Sequence, residues 1–337
     1  MTAPLPIVLV QATKRPRPEL AAQLEGSGEI LVVASAQDVD AAAKAVSARG
    51  AHAVLLVTDD AGAAAHVATL MQLARVPVIA MAQTTSGVLA ALAAGAVEGL
   101  LADASLPRLV ESLKLMSQVR VVRRFPMTPR PAGKPTSVSR ILAAAAEGPP
   151  RLVAIGASTG GPAALAEMLG QLPAGFPAAF VIAQHMPNDY DAPFARWLSE
   201  VTKLEAKVGE DGELPRAGRA YIPRGGYDLT LGPSGVIQNL TPAGKGPVPS
   251  VDRLLESAAR VKGFELFGIV LTGMGRDGMI GLKAMRLAGA VTMTQDKESS
   301  VISSMPEAAL QHGGAHIALP PSYIAQQLMA WVGGTPS

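Results

Sequence analysis

The chain has 337 residues, enough for two domains of ordinary size, each with its own hydrophobic core. Hydrophobic residues make up 49% and charged residues 17%, a balance that excludes disorder along the whole chain. The net charge of +2 is too weak to indicate binding to nucleic acid, and the absence of cysteine excludes thiol nucleophiles, disulfides and thiolate metal sites.

The beginning of the chain contains no recognisable targeting segment. Met1–Pro6 lacks the basic stretch and the following apolar stretch that make up a signal peptide. Alanine-rich segments such as Val88–Val97 are too short, and too interrupted by glycine, to cross a bilayer. We therefore expect a cytoplasmic protein without membrane insertion.

The first part of the chain alternates strand-type and helix-type hydrophobic patterns at a regular pace. The predicted strands are Ile7–Val10, Ile30–Ala34, Ala53–Val57, Pro77–Met81 and Val97–Leu101. The predicted helices are Pro18–Leu24, Val39–Ala48, Ala63–Leu73, Gly87–Ala94 and Leu106–Val121. Such an alternation predicts an α/β domain over residues 1–122 with a doubly wound, flavodoxin-like parallel sheet.

Residues 123–149 differ in composition from what precedes them. They are basic and rich in proline, and they lack hydrophobic periodicity, which predicts an extended linker. A short helix over Ile141–Glu147 fits within it. We interpret the basic charge as a solvating feature rather than a binding patch.

Residues 150–335 return to an α/β pattern, with a different middle section. The predicted strands are Leu152–Gly156, Ala179–Gln184, Ala220–Ile222, Tyr227–Leu231, Val236–Asn239, Glu265–Thr272, Ala290–Thr294 and Ala315–Leu319. Runs between Tyr221 and Asn239 are closely spaced and joined by glycine-rich turns, which predicts antiparallel ribbons. Helical patterns such as Asp252–Lys262 and Gly281–Ala288 separate the outer runs. The second domain is therefore predicted to be a mostly parallel α/β sheet with a β-ribbon insertion.

Three polar residues follow apolar strands of the second domain. Ser158 lies in a glycine-bounded turn between a strand and a helix, His185 follows Gln184, and Asp277 lies in a glycine-rich loop. Because the carboxyl ends of parallel strands meet at one edge of a sheet, these loops can converge. A serine nucleophile needs a base to take its proton, and the base needs a carboxylate to orient it. The sequence therefore predicts a Ser158–His185–Asp277 triad.

Each of these residues also has a simpler interpretation. The turn around Ser158 could cradle an anion, although Ala157 breaks the dinucleotide-binding fingerprint and no Walker-type lysine follows. A lone histidine is usually structural, and Asp277 could cap a helix beginning near Gly278. The joint occurrence of all three residues favours the triad.

Five short motifs follow one another between Arg151 and Trp331. They are Gly156-Ala-Ser-Thr-Gly-Gly, Gln184-His-Met-Pro, Pro249-Ser-Val-Asp, Leu271-Thr-Gly-Met-Gly-Arg-Asp-Gly and Met305-Pro-Glu-Ala. In this order they closely resemble the bacterial chemotaxis protein-glutamate methylesterases, the CheB family. The resemblance implies hydrolysis of glutamate methyl esters on methyl-accepting chemoreceptor proteins, with release of methanol, and often deamidation of glutamines.

The resemblance also assigns residues. It places the nucleophile at Ser158, the histidine at His185 and the aspartate at Asp277, with Thr159 and Met274 lining the site. It implies that no metal or organic cofactor is needed. Two alternatives stay open, a scaffold with a vestigial site and an esterase or deamidase that acts on another substrate.

For residues 1–122 the resemblance implies a response-regulator receiver, in which a chemosensory histidine kinase or an array protein is a candidate partner. A working receiver needs an acidic pair, an acceptor aspartate, a hydroxyl and a lysine after its strands. The corresponding residues here are Gln11 and Ala12, Val57, Met81 and Ala82, and Ala102. With Val57 at the acceptor position, the sequence predicts a receiver fold without a phosphorylation site. Asp59 and Asp60 are the less favoured, displaced acceptors.

Overall fold

The computed structural model describes residues 3–74, 76–117, 148–244 and 246–333. The chain divides into two compact units, Met1–Arg123 and Arg124–Ser337. The boundaries predicted from sequence, with a linker over residues 123–149, stay predictions. The helix proposed over Ile141–Glu147 lies outside the described residues.

The first unit is one five-stranded sheet with helices between successive strands. Its strands are β1 (Leu5–Ala12), β2 (Ile30–Ala36), β3 (Ala53–Thr58), β4 (Val78–Ala82) and β5 (Glu98–Leu101). Its helices are α1 (Leu20–Gly26), α2 (Val39–Arg49), α3 (Ala63–Leu73), α4 (Thr85–Ala93) and α5 (Leu106–Met116). The strand order β2-β1-β3-β4-β5, with every neighbouring pair parallel, is the flavodoxin-like order and confirms the predicted fold class.

The middle of this sheet is the core of the first unit. Every residue of β3 and of β4 is buried, as expected for parallel strands covered by helices on both faces. Helix α5 ends at Met116, whereas the predicted helix continued to Val121, and residues 118–121 lie outside the described residues. The Ser117 hydroxyl donates to the carbonyl of Lys114 at 2.8 Å, which satisfies part of the last turn.

The second unit contains a larger parallel sheet. Its strands are β6 (Arg151–Ala157), β7 (Ala179–Gln184), β8 (Glu205–Val208), β9 (Arg219–Ile222), β10 (Asp228–Leu231), β11 (Ile237–Leu240), β12 (Glu265–Val270), β13 (Val291–Gln295) and β14 (Ile317–Leu319). Its helices are α6 (Gly161–Leu169), α7 (Asp191–Val201), α8 (Val251–Ala258), α9 (Met279–Leu287), α10 (Ser304–Gln311) and α11 (Pro321–Val332).

Strand β6 is the point at which the order of this sheet reverses. The seven-stranded sheet has the order β14-β13-β12-β6-β7-β9-β8, and all of its pairs are parallel. The chain therefore leaves β6 toward β7 on one side and returns on the other side at β12. Open parallel sheets bind ligands beside such a reversal, at the carboxyl ends of the strands.

The predicted β-ribbon is smaller than the sequence indicated. Among the described strands only β10 and β11 pair antiparallel, whereas β9 joins the main sheet in parallel with β7 and β8. The reason is burial: Ala220, Tyr221 and Ile222 are all buried, as in a strand covered on both faces. Strand β8 was not predicted because it is short, and Glu205 and Lys207 within it are charged.

Helix boundaries in the second unit also differ from the prediction. Helix α8 ends at Ala258, and the backbone beyond it turns so that the Lys262 amide donates to the carbonyl of Pro233 at 3.0 Å. The predicted continuation to Lys262 is therefore wrong. Within the described ranges, no helix has both the length and the apolar character needed to cross a membrane.

Candidate active site

Ser158 follows the last residue of β6, at the reversal point of the sheet. Its amide donates to the carbonyl of Thr272 at 3.0 Å, and its own carbonyl accepts from the Gly161 amide at 2.8 Å. Gly160, in the turn between Ser158 and Gly161, has a φ of 79°. This is a left-handed backbone conformation, which is strained in a residue that carries a side chain. The strand thus turns sharply into α6 and leaves the Ser158 side chain at the edge of the sheet.

The loop after β12 packs directly on this serine. A Cβ atom at Gly273 would lie 2.6 Å from Ser158 Cβ, so only glycine allows this approach. The start of α10 holds the loop from behind, because Met305 N and Ser304 Oγ both donate to the Gly273 carbonyl, each at 3.1 Å. This contact gives the Met305-Pro-Glu-Ala motif a structural role that the sequence did not reveal.

His185 and Asp277 form a hydrogen-bonded pair beside Ser158. The ring Nε2 of His185 lies 2.9 Å from Asp277 Oδ2, and the two side chains are only 13% and 10% exposed. His185 is next to Ser158 because Ala157 and Gln184 are paired in the β6–β7 register, and the His185 amide donates to the Ala157 carbonyl at 3.0 Å. The structure therefore brings together the three residues singled out by the sequence.

The amino end of α8 holds the Asp277 carboxylate. The amides of Val251 and Asp252 donate to Oδ2 and Oδ1, each at 2.8 Å. Burial opposes the charged form of Asp277, but hydrogen bonds from His185 and from these two amides outweigh it, so its pKa lies below the usual value. Asp277 is therefore an anion whose two oxygens each accept from a backbone amide, in addition to the bond between Oδ2 and the histidine.

The alternative role of Asp277 as a helix cap is not what the structure shows. Helix α9 begins after Gly278, and no capping hydrogen bond from a side chain is made at that position. Asp252 accepts from the amide of Gly281 instead, at 2.7 Å, and burial raises the pKa of Asp252. The Pro249-Ser-Val-Asp motif thus binds Asp277 through its amides and the start of α9 through its carboxylate.

Gln184 belongs to the site, although its position in the predicted strand indicated no role beyond the end of that strand. Its buried Nε2 donates to the carbonyl of Ser158 at 2.9 Å and to that of His185 at 3.0 Å. One amide group therefore connects the turn that carries the serine to the strand end that carries the histidine. In the sequence, the one indication of such a role is the position of Gln184 before His185 in the Gln184-His-Met-Pro motif.

Several polar groups around Ser158 have no hydrogen-bond partner in the described part of the chain. Among the described residues, Ser158 Oγ and His185 Nδ1 have no hydrogen-bond partner, although the groups behind them are bonded. The amides of Thr159 and Gly160 are likewise unpaired within the described part of the chain, whereas the Ser158 amide is occupied. The site can thus offer a hydroxyl, a ring nitrogen and two amide donors to an incoming group.

Of the two residues expected to line the site, Thr159 lies in the turn directly after the serine and Met274 lies in the loop that packs on it. The carbonyl of Thr159 accepts from Thr272 Oγ1 at 3.0 Å, which fixes the turn after Ser158. Met274 is 46% exposed in the loop between Gly273 and Asp277. Their contact with a substrate stays a prediction.

In the first unit, the residues at the receiver positions lie at the corresponding edge of its sheet. Val57 is buried in β3, with 1% of its surface exposed. Asp59 accepts from Thr13 Oγ1 at 2.6 Å and from the Lys14 amide at 3.0 Å, and these hydrogen bonds lower its pKa. Asp60 accepts from the amides of Gln83 and Thr84, at 3.0 and 3.1 Å. Both downstream aspartates are therefore occupied by groups of their own domain.

Comparison with known proteins identifies the second unit. A model of the CheB methylesterase family matches residues 153–328. A protein-glutamate methylesterase/protein-glutamine glutaminase of Burkholderia orbicola is 38% identical over 256 residues, which cover 73% of this chain and 72% of that protein. The chain belongs to the CheB methylesterase family. The resemblance found in the sequence is thereby confirmed, and with it the class of the protein, a carboxylic ester hydrolase.

Other members of the family show the same similarity. The protein-glutamate methylesterase FrzG of Myxococcus xanthus is 40% identical over 223 residues, 65% of this chain and 63% of that protein. The crystal structure of the CheB methylesterase catalytic domain of Thermotoga maritima matches with a TM-score of 0.51 and 33% identity, over 54% of this chain and 98% of that domain. The similarity to a solved structure thus spans about half of the chain and nearly all of that catalytic domain.

Proposed function

We propose that this CheB methylesterase hydrolyses glutamate methyl esters on chemoreceptors through Ser158, His185 and Asp277. The observation that supports the proposal most directly is the His185–Asp277 pair at 2.9 Å beside a serine whose hydroxyl is unpartnered among the described residues. A buried, hydrogen-bonded carboxylate behind a histidine is the arrangement that turns a serine into a nucleophile.

The hydrogen bond to Asp277 defines which nitrogen acts. Nε2 carries the proton donated to Asp277, so Nδ1 is the atom that takes the proton from Ser158 Oγ. Oγ attacks the ester carbonyl carbon, and Nδ1 then returns the proton to the departing methoxide, which leaves as methanol. Water attacks the acyl-enzyme in the same way, with Nδ1 again as the base, and releases a free glutamate carboxylate.

The oxyanion of each tetrahedral intermediate needs donors that are already in place. The amides of Thr159 and Gly160 are unpaired in the described structure and follow the nucleophile directly. They lie where β6 gives way to α6, and the amino end of a helix favours negative charge. We assign the oxyanion to this turn, without the Ser158 amide.

Glutamine deamidation uses the same machinery. The relative from Burkholderia orbicola is named as both methylesterase and glutaminase. In deamidation the proton on Nδ1 would go to the departing amide nitrogen, which leaves as ammonia, and the acyl-enzyme would be the same. We include this activity in the proposal, for glutamines on the same chemoreceptor helices as the methyl esters.

The partners proposed for the first unit are a chemosensory histidine kinase or an array protein, met in the cytoplasm. Its flavodoxin-like sheet and its occupied Asp59 and Asp60 fit a domain that binds proteins without accepting phosphate. In this proposal the first unit would regulate the protein through non-covalent contacts with a partner and not through covalent modification.

The test is methanol release by the full-length protein. A methylated chemoreceptor fragment and a generic small ester are offered separately, and methanol and ammonia are measured. Turnover of the receptor fragment well above that of the small ester supports the proposal. Turnover of the small ester alone would favour an esterase for another substrate, and no turnover of either would favour a scaffold with a vestigial site.

A further inference from the structure

Two arginines stand on loops beside the proposed triad. Arg276 directly precedes Asp277, and Arg224 lines a shallow depression together with Met186, Pro187 and other residues that neighbour the site. Both arginines are exposed, and neither forms an ion pair in the part of the chain that the structure describes. We refer to Arg224 and Arg276 together as the arginine rim.

The carboxylates around the rim are bonded to other groups. These pairs are Asp277 with His185, Asp228 with Arg253, Asp191 with the Gly225 amide, and Asp252 with the Gly281 amide. Asp189 is exposed on the neighbouring turn and makes no ion pair with either rim arginine in the described structure. The positive charge of the rim is therefore left for a group from outside the chain.

The backbone of Arg224 is already ordered. Its amide donates to Asn239 Oδ1 at 3.0 Å, its carbonyl accepts from the Tyr227 amide at 3.0 Å, and its guanidinium carbon lies 5.1 Å from the centre of the Tyr227 ring. A side chain held over an aromatic ring loses less conformational freedom when it binds a ligand.

The backbone of Arg276 is held in a similar way. Its carbonyl accepts from the Met279 amide at 3.1 Å, and the preceding Gly275 amide donates to Ser304 Oγ at 3.0 Å. Among the described residues, the guanidinium makes only a weak contact, 3.7 Å from the sulfur of Met279. Its strong donors thus remain for a carboxylate, which a guanidinium binds through two parallel hydrogen bonds.

We propose that the arginine rim binds free glutamate carboxylates next to the ester on the substrate, an inference that rests on the proposed function. Hydrolysis of one ester leaves such a carboxylate. On a helical substrate the next turn lies about 5.4 Å away, within reach of a loop beside the site. The product of one reaction therefore recruits the enzyme to the neighbouring ester.

The experiment compares two helical peptides, each with one glutamate methyl ester. In one peptide the positions one turn before and after the ester are glutamate, and in the other they are glutamine. We measure kcat/KM for methanol release by the full-length protein and take the ratio between the two peptides. Because the ratio is taken within one protein, a partial loss of folded enzyme cancels.

The variants are Arg224→Gln, Arg276→Gln and the double substitution, with Arg260→Gln as the matched control. Arg260 is exposed beyond the carboxyl end of α8, whereas the amino end of that helix faces Asp277. We expect the native protein to prefer the glutamate peptide, and each rim substitution to lower the ratio about three- to tenfold. The preference should also weaken as salt is added, and Arg260→Gln should keep it.

A preference that survives the double substitution, or falls equally in Arg260→Gln, would overturn the arginine rim. So would equal turnover of the two peptides by the native protein. If the native protein releases no methanol from either peptide, the proposed function itself fails and the rim fails with it. The two failures are distinguishable. Failure of the proposed function is the absence of methanol release, whereas failure of the arginine rim is seen in the ratio between two measurable rates.

Discussion

Each of the two units has a sheet edge formed by the carboxyl ends of parallel strands. The polar groups at these two edges differ in whether they are hydrogen-bonded within the chain. In the first unit these groups bind one another, as Asp59 binds Thr13 and as Asp60 binds the amide of Thr84. In the second unit, Ser158 Oγ and His185 Nδ1 are unpartnered among the described residues, while the groups behind them are bonded.

The difference shows that a parallel-sheet edge does not by itself make a reactive site. A reactive edge needs supporting groups that are satisfied and a reacting group that is not, because the reacting group must bind substrate. In the first unit the polar groups at this edge are bonded within the domain, as where the Arg17 guanidinium donates to the backbone carbonyl of Ala102, the position at which a receiver presents its lysine. A parallel-sheet edge of this kind therefore occurs in this chain both with and without unpartnered polar groups, as far as the described residues show.

Removal of the nucleophile should have the largest effect on this comparison. Ser158→Ala is expected to lower ester hydrolysis by about 10⁴ to 10⁶, because the remaining groups have no atom to acylate. Adding His185→Ala should cost little more, since the members of a triad act as a unit. Methanol release from a methylated receptor fragment measures both effects.

The control for this substitution is Ser47→Ala, at an exposed serine of α2 in the first unit. It should leave methanol release unchanged. Near-normal turnover by Ser158→Ala, with the fold intact by circular dichroism, would mean that the open edge of the second unit is not where the ester reacts.

Gln184 should have the next largest effect, as a positioning residue. Gln184→Met keeps the size of the side chain and removes the donor that holds the carbonyls of Ser158 and His185. We expect kcat to fall about 10- to 100-fold with little change in KM, because the serine and the histidine lose their alignment and no substrate contact is removed. Steady-state kinetics of methanol release separate the two constants.

The matched control is Gln171→Met, since Gln171 is exposed and its amide also donates to a backbone carbonyl, that of Glu167. It should leave both constants unchanged. A rise in KM with an unchanged kcat for Gln184→Met would show a role in substrate binding instead.

The support behind His185 should be visible in the pH dependence of stability. Because the pKa of Asp277 is lower in the folded protein than its ordinary value of 3.8, this carboxylate stabilises the fold above that pH. Its contribution is lost as the pH falls below 3.8 through the folded-state pKa. The difference in unfolding free energy between the native protein and Asp277→Asn should thus shrink on acidification below about pH 5.

Urea unfolding of both proteins between pH 3 and pH 7 measures that difference. Asp189→Asn is the control, because Asp189 is exposed and is not hydrogen-bonded to His185. A difference that stays constant down to pH 3 would show that the carboxylate of Asp277 is not held as an anion by its neighbours.

Most of the strands, and the three candidate residues, could be read from the sequence because they are local patterns. A buried run such as β6 and the glycines after it carry their own signal. What could not be read depends on tertiary contacts. The amide donors to Asp277 come from α8, and the parallel pairing of β9 depends on its neighbour β7.

Gln184 illustrates the same limit. A glutamine at a strand end is usually solvated, and only the turn after β6 shows that its amide reaches two carbonyls. Asp59 and Asp60 show the opposite case. Their positions shortly after Val57 in the sequence were compatible with a displaced phosphate acceptor, although the structure shows both carboxylates hydrogen-bonded. Their partners, Thr13 and the loop before α4, lie far from them in sequence.

The smallest expected effect is that of a phosphodonor on the first unit. Acetyl phosphate with Mg²⁺ should neither label residues 1–122 nor change methanol release, because Gln11 and Ala12 supply no metal-binding carboxylate and Val57 supplies no acceptor. Asp59 would have to give up its hydrogen bonds from Thr13 and Lys14 before its carboxylate could attack phosphorus. Phosphate release on a denaturing gel, mass spectrometry of the intact chain and the esterase rate are measured together, and a phosphorylatable receiver domain serves as the positive control. A stable phosphate on Asp59 with a faster esterase would mean that the edge of the first unit is as reactive as that of the second.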